Sequence, residues 1–161
     1  MSNEVTKYIK NESVGKRISE LLKDRAPQFT TSLVTAVNDN AKLAACEPQS
    51  VLTAALTAAS MDLPINQNLG FAYLIPYNNK GGSVCQFQMG YKGFIQLAQR
   101  SGYYKTINAT EVREGEIAKI DRLSGEIEFE WIEDDRKRES AKVVGYVAYF
   151  KLLNGFEKSL Y

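Results

Sequence analysis

The sequence predicts an α+β protein, and three observations carry that prediction. Apolar residues recur at helical spacing up to Pro64. The period then falls to two, in runs broken by Gly and Asn. One amphipathic segment, MGYKGFIQLAQRSG at 89–102, separates the first strand-like runs from the later ones. Helices gathered at one end of a set of antiparallel strands make the α+β class.

In SVGKRISELLKDRA, the apolar residues Val14, Ile18, Leu21 and Leu22 share one helical face. Pro27 is expected to interrupt that helix. TTSLVTAVNDNAKLAAC should resume it, capped by Thr30 or Thr31, with Leu33, Val37 and Ala41 in phase. Pro48 suits the first turn of a third helix, PQSVLTAALTAASM, which is Ala-rich and nearly uncharged and so belongs in a core or against a partner. Pro64 ends the helical part. LGFAYLIPYN and SVCQFQMG then read as a hairpin joined by NNKGG. The helix over 91–101 is closed by Gly102. YKTINATEV reads as a strand. IAKID and EIEFEWI form a hairpin around RLSG, with Ile127, Phe129 and Trp131 on one face and Glu126, Glu128 and Glu130 on the other. EDDRKRESA is expected to be a polar loop. KVVGYVAYFKLL is apolar on both faces, which predicts a central strand covered on both sides. Asn154-Gly155 turns the chain into a return strand, FEKSLY. The chain stops at Tyr161 within that strand, so the fold is expected to be incomplete at its C-terminus. An N-terminal helical region over 1–47, suited to subunit contacts, and a core over 48–161 are the expected parts.

Composition narrows the function. Apolar residues make up 44% and charged residues 24% of the 161, which is ordinary for a soluble globular protein. No run approaches the ~18 apolar residues of a membrane span. The opening MSNEVTKYIK is not a signal peptide, so a cytoplasmic location is expected. Cys46 and Cys85 lie in unlike contexts and read as buried thiols. The chain has no histidine, which removes the commonest general base and the commonest metal ligand. There is no Gly-x-Ser-x-Gly elbow, and the Gly81–Ser83 stretch lacks the Gly-Lys-Ser/Thr of a phosphate loop. Glu133, Asp134 and Asp135 could hold a divalent ion, but Arg136, Lys137 and Arg138 follow at once and compete for them. No catalytic residue, metal or cofactor is expected.

The net charge of +1 says little, but its distribution says more. Residues 1–90 carry 8 basic and 7 acidic groups, residues 91–113 carry 4 and 1, residues 114–135 carry 2 and 9, and residues 136–158 carry 6 and 2. A segregated field binds a polyanion locally in a nearly neutral molecule. On a helical wheel, Tyr91, Phe94, Ile95, Leu97 and Ala98 share one side of 91–101 and should dock the helix on the sheet. Lys92, Gln96, Gln99 and Arg100 share the other, with no carboxylate. Cations and amides suit a phosphodiester backbone. Tyr103, Tyr104 and Lys105 follow, and the hairpin tip adds Tyr77, Asn78, Asn79 and Lys80. Tyrosines interleaved with Lys and amides suit single strands, whose bases can stack. Tyr73 and Tyr146 are expected in the core. Gly90 and Gly93 predict a close backbone approach, to the neighbouring strand rather than to a ligand.

Three blocks then resemble a known family in order and spacing: LTAALTAASMDLPINQNLGFAYLIPY, GYKGFIQLAQRSG and EVREGE. They resemble the RecT family of phage-type single-strand annealing recombinases, with relatives expected among prophage proteins of Gram-positive bacteria. The resemblance implies a fold distantly similar to that of the lambda Red beta protein. It implies binding of single-stranded DNA, ATP-independent annealing to a complementary strand, and retention of the annealed duplex intermediate. It also implies homo-oligomeric rings or helical filaments, a partner exonuclease, and family members that continue past the point matching Tyr161. The matched positions and the charge pattern nominate Lys92, Arg100, Lys105 and Arg113 for phosphate contact. They nominate Tyr77, Asn79 and Lys80 on the hairpin for stacking, hydrogen bonding and charge. The acidic block is expected to lie away from the DNA or to face a neighbouring copy. A coating protein that does not anneal and a metal-dependent nuclease using Glu133, Asp134 and Asp135 are the alternatives.

Overall fold

A computed structural model describes residues 3–161. Helices precede antiparallel strands, as the α+β class requires. The order is α1 (Glu4–Ile9), α2 (Glu12–Leu22), a 3-10 turn (Lys23–Arg25), α3 (Ala26–Asp39), α4 (Ala41–Ala44), α5 (Pro48–Ser60), a 3-10 turn (Gln67–Leu69), β1 (Ala72–Asn79) and β2 (Gly82–Met89). Then follow α6 (Tyr91–Ser101), β3 (Tyr104–Arg113), β4 (Ile117–Ile120), β5 (Ile127–Phe129), α7 (Asp135–Ser140), β6 (Val143–Leu152) and β7 (Glu157–Leu160). The chain forms two compact units, Met1–Leu97 and Ala98–Tyr161.

In the first unit the helices pack on one face of the β1–β2 hairpin. Val5, Ile9, Ile18, Leu33, Val37 and Leu43 are buried with the α5 residues Val51, Leu52, Ala55 and Ala58. The small side chains of α5 let it lie close to β2, and Ser50 Oγ accepts the Cys85 N–H at 2.9 Å. Pro27 does not interrupt a helix. It sits in the first turn of α3, where its missing N–H costs nothing, so the helix begins at Ala26 rather than after Thr30. The break comes at Asn40, whose extended backbone and side-chain oxygen cap α4 through the Lys42 and Leu43 N–H groups. Both cysteines are buried and reduced. Burial, with the neighbouring Cys46 adding to it, pushes the Cys85 thiol up to about 12.

In the second unit β6 lies between β3 and β7, all antiparallel, and β4 pairs with β5 in a separate hairpin. One face of the three-stranded sheet buries Val112 and Val147. The other leaves Val144, Tyr146 and Ala148 open, Tyr146 at 71% exposure. β6 is therefore central but covered on one side only, and Tyr146 is not a core residue. Its alternation of large apolar groups on both faces does not by itself supply a second cover. The segment expected to be a polar loop contains α7, because Asp134 accepts the Lys137 N–H at 3.1 Å and starts a helical turn.

Candidate nucleic-acid interface

The β1–β2 register sorts the hairpin into two faces. Ala72, Leu74 and Pro76 pair with Met89, Phe87 and Cys85 and turn toward the helices. Tyr73, Ile75 and Tyr77 pair with Gln88, Gln86 and Val84 and turn away from them. Gln86 and Gln88 are exposed, and so is Tyr77. Lys80 and Gly81 form the two-residue turn at the tip, between the Asn79–Gly82 pair. The outward face therefore carries tyrosine, amide and lysine side chains.

The N-terminal part of α6 adjoins this hairpin through glycine. The Gly90 N–H donates to the Phe71 carbonyl at 3.0 Å. A Cβ at Gly90 would collide with the Gly70 carbonyl oxygen, and one at Gly93 with that of Phe71. The predicted close approach is thus to the neighbouring backbone. It also turns the helix differently from the expectation. Gly93 faces inward with Gln96, whose Oε1 is buried and has no hydrogen-bond partner among the described residues. Tyr91 and Phe94 point outward, at 68% and 62% exposure, and Ile95 is exposed beside them. Of the apolar stripe, Tyr91, Phe94 and Ile95 are therefore exposed rather than docked, while Leu97 and Ala98 are half-buried. Two glycines bring the backbones so close that the glycine side becomes the packing side. Lys92 stays exposed, and its Cδ and the Tyr73 hydroxyl both flank Gly70, at 3.5 Å and 3.3 Å from the position of a Cβ there. Lys92 and the outward tyrosine face of β1 therefore share one surface.

Four of the seven nominated residues, Tyr77, Asn79, Lys80 and Lys92, lie in the first unit and are exposed. Arg100 is exposed in the second unit, near the end of α6. Lys105 is exposed at the bulge where β3 slips against β6 between Tyr104 and Thr106. Arg113 is engaged internally. Its guanidinium donates to Glu111 and to the Ala141 carbonyl at 2.7 Å, with only 15% of the side chain exposed.

That engagement belongs to a buried ion cluster. Glu116 is fully buried and accepts the Arg113 N–H at 2.7 Å, Arg138 Nε–H at 2.7 Å and the Ile132 N–H at 3.4 Å. Burial pushes its carboxyl up, but the Arg138 hydrogen bond, the two backbone donors and the Arg138 charge outweigh this and hold it below the usual carboxylate range. Arg138 also donates to the Glu111 carbonyl at 2.9 Å and lies over the Trp131 ring. EVREGE is thus a folding motif of the second unit, holding β3 and α7 together.

Sequence reasoning missed Tyr91 and Phe94 because it assigned them to the core. A signal was available: no carboxylate occurs between Asp62 and Glu111, a stretch that contains Lys80, Lys92, Arg100 and Lys105. That stretch holds β1, β2, α6 and most of β3.

Comparison with known proteins identifies the family. The RecT family pattern matches residues 27–161. The chain belongs to the RecT family. It is 48% identical over 153 residues to the uncharacterized protein YqaK of Bacillus subtilis (strain 168), covering 95% of this chain and 51% of that protein. It is 29% identical over 121 residues to protein RecT of Escherichia coli (strain K12), covering 71% of this chain and 45% of that protein. The chain thus spans about half the length of these two relatives. Its RecT match includes β1, β2 and α6, the elements that carry the outward tyrosine and lysine surface. Among the described residues no helix is long and apolar enough to cross a membrane.

Proposed function

We propose that this RecT-family chain binds single-stranded DNA and pairs it with a complementary strand without ATP, working as a self-associated array in phage-type recombination. The carboxylate-free outward surface of the first unit carries the reading: Tyr77, Tyr91 and Phe94 for stacking, Lys80 and Lys92 for phosphate, and Asn79, Gln86 and Gln88 for polar contacts. Stacking holds a strand without regard to sequence, and lysines on its backbone leave base edges open to a second strand. Arg100 and Lys105 extend the basic character into the second unit. Arg113 serves the ion cluster instead. No step requires a catalytic group or a cofactor. The helical region 1–47 contributes subunit contacts, a partner exonuclease supplies the single strands, and the work takes place in the bacterial cytoplasm.

The deciding experiment mixes the chain with one labelled strand, adds the complement without ATP, and follows binding and pairing across a salt series. Pairing faster than the spontaneous rate, fading with salt, is the expected result. Binding that slows pairing supports the coating protein instead, and absence of binding at every salt concentration rejects the surface. Two substitutions separate its parts. Lys92→Ala should weaken binding and reduce the slope of log K against log salt by about 0.7. Tyr77→Ala should cost roughly 1–3 kcal/mol of binding and leave that slope unchanged.

A further inference from the structure

The open face of the three-stranded sheet has a definite chemistry. The register sets Ile107, Ala109 and Glu111 of β3 beside Phe150, Ala148 and Tyr146 of β6, and Leu160 of β7 beside Ala148. Ile107, Ala109, Val144, Tyr146, Ala148 and Leu160 are exposed there. Tyr104 meets the Phe150 ring edge-on at 6.0 Å. The other face is covered. Tyr161 lies over Gly145 and donates its hydroxyl to the Val144 carbonyl at 3.1 Å. The tip of the acidic β4–β5 hairpin shares a cleft with Tyr149 and Ser159, which turn away from the open face.

The charges left on the open face have one sign. The strands of this sheet carry two carboxylates, Glu111 and Glu157. Glu111 is paired with Arg113 and Arg138, and Glu157 with Lys151 at 2.6 Å. Strand alternation brings Lys105 and Lys142 to the open face, two residues before Ile107 and Val144. Both are exposed and make no ion pair among the described residues. They stand toward opposite ends of β6, with Tyr146 between them. Free cations without a free carboxylate suit a polyanion, and a tyrosine exposed on a central strand is a platform on which unpaired bases stack. We infer that this face is a second single-strand site, with Tyr146 stacking a base and Lys105 and Lys142 holding phosphates on either side. This second site rests on the single-strand binding proposed above and lies in the other unit, so one chain can hold two strands. Tyr146 stands roughly 13 Å from Lys142 along β6, so the face takes a strand of several nucleotides.

The test uses the full chain with a short oligo-dT strand carrying 5-iodo-dU. Ultraviolet cross-linking followed by peptide mapping locates the strand, and titration at high protein concentration counts strands per chain. Tyr146 is 71% exposed, so Tyr146→Ala does not put folding at stake. Cross-links are expected in both units, the second-unit one at Tyr146, with two strands bound per chain. Tyr146→Ala should lose the second-unit cross-link and bind one strand, and Tyr146→Phe, which keeps the ring, should still bind two. Cross-links confined to the first unit, with one strand bound before and after Tyr146→Ala, overturn the second site and leave the first standing. Absence of cross-links and of binding in both units overturns both readings. A Tyr146→Ala chain that keeps its strand count but sediments more slowly without DNA assigns the face to a second copy and overturns the inference.

Discussion

Gly90→Ala is expected to destabilise the first unit by at least 1–3 kcal/mol, with a lower midpoint in urea unfolding. The added methyl group has no room. It would run into the Gly70 carbonyl oxygen and lie 2.9 Å from Cε2 of Tyr73. The obstacle is backbone, held by the Gly90 N–H to Phe71 carbonyl bond, and cannot swing aside as a side-chain tip would. Relief requires α6 to move off the segment before β1, which also shifts Lys92 from the tyrosine face. DNA binding should therefore fall together with stability. Gly15→Ala is the control. Gly15 lies inside α2 with nothing within 4 Å of a Cβ, so alanine there should stabilise by about 0.5–1 kcal/mol through helix propensity. An unchanged midpoint for Gly90→Ala would mean that α6 does not rest on residues 70–71.

Glu116→Ala is expected to cost the second unit on the order of 3–5 kcal/mol, as removal of one member of a buried ion pair does. The Arg113 and Ile132 N–H groups and the Arg138 guanidinium lose their acceptor together. Glu116→Gln keeps the size and one acceptor oxygen but loses the charge, and should fall between. The effect has a pH signature. The folded carboxyl is held below its ordinary value, so the unfolded chain binds more protons near pH 4. Its contribution is therefore complete above the unfolded value of roughly 4.3 and is lost as pH falls through the depressed folded value. Asp121 and Glu157 are held low too, by backbone donors and by Lys151 respectively, so the unsubstituted chain keeps part of its acid sensitivity from them. Stability measured from pH 7 down to 3 should show a shallower acid decline in Glu116→Gln. Parallel declines in the two chains would remove Glu116 from the cluster's energetics.

Most elements were legible because their signals are local. Pro48 and the alanine run marked α5, the alternation in 72–89 marked the first hairpin, and Asn154-Gly155 marked the turn into β7. The misreadings share another cause. Pro27 either ends a helix or begins one, and the difference depends on whether the preceding turn continues. Tyr91 and Phe94 look like core residues on a wheel, because the wheel shows an apolar side and not which side meets a neighbour. Arg113 reads as one more cation until Glu111 and the Ala141 carbonyl are seen around it. Glu116 reads as one more surface acid in an acidic block, although it is fully buried.

The sequence by itself determined the α+β class, the alternating faces of the hairpin, the segregation of charge and, through its three blocks, RecT membership. These follow from period, turn chemistry and residue order, which are properties of neighbours along the chain. The close approach at Gly90 and Gly93 was legible too, but only the tertiary structure decided that this side of α6 faces inward and that Tyr91 and Phe94 face outward. It alone turned EVREGE into the centre of an ion cluster. Those outcomes depend on which distant backbone comes close enough to exclude a side chain or to accept a hydrogen bond, and no spacing along the chain encodes that distance.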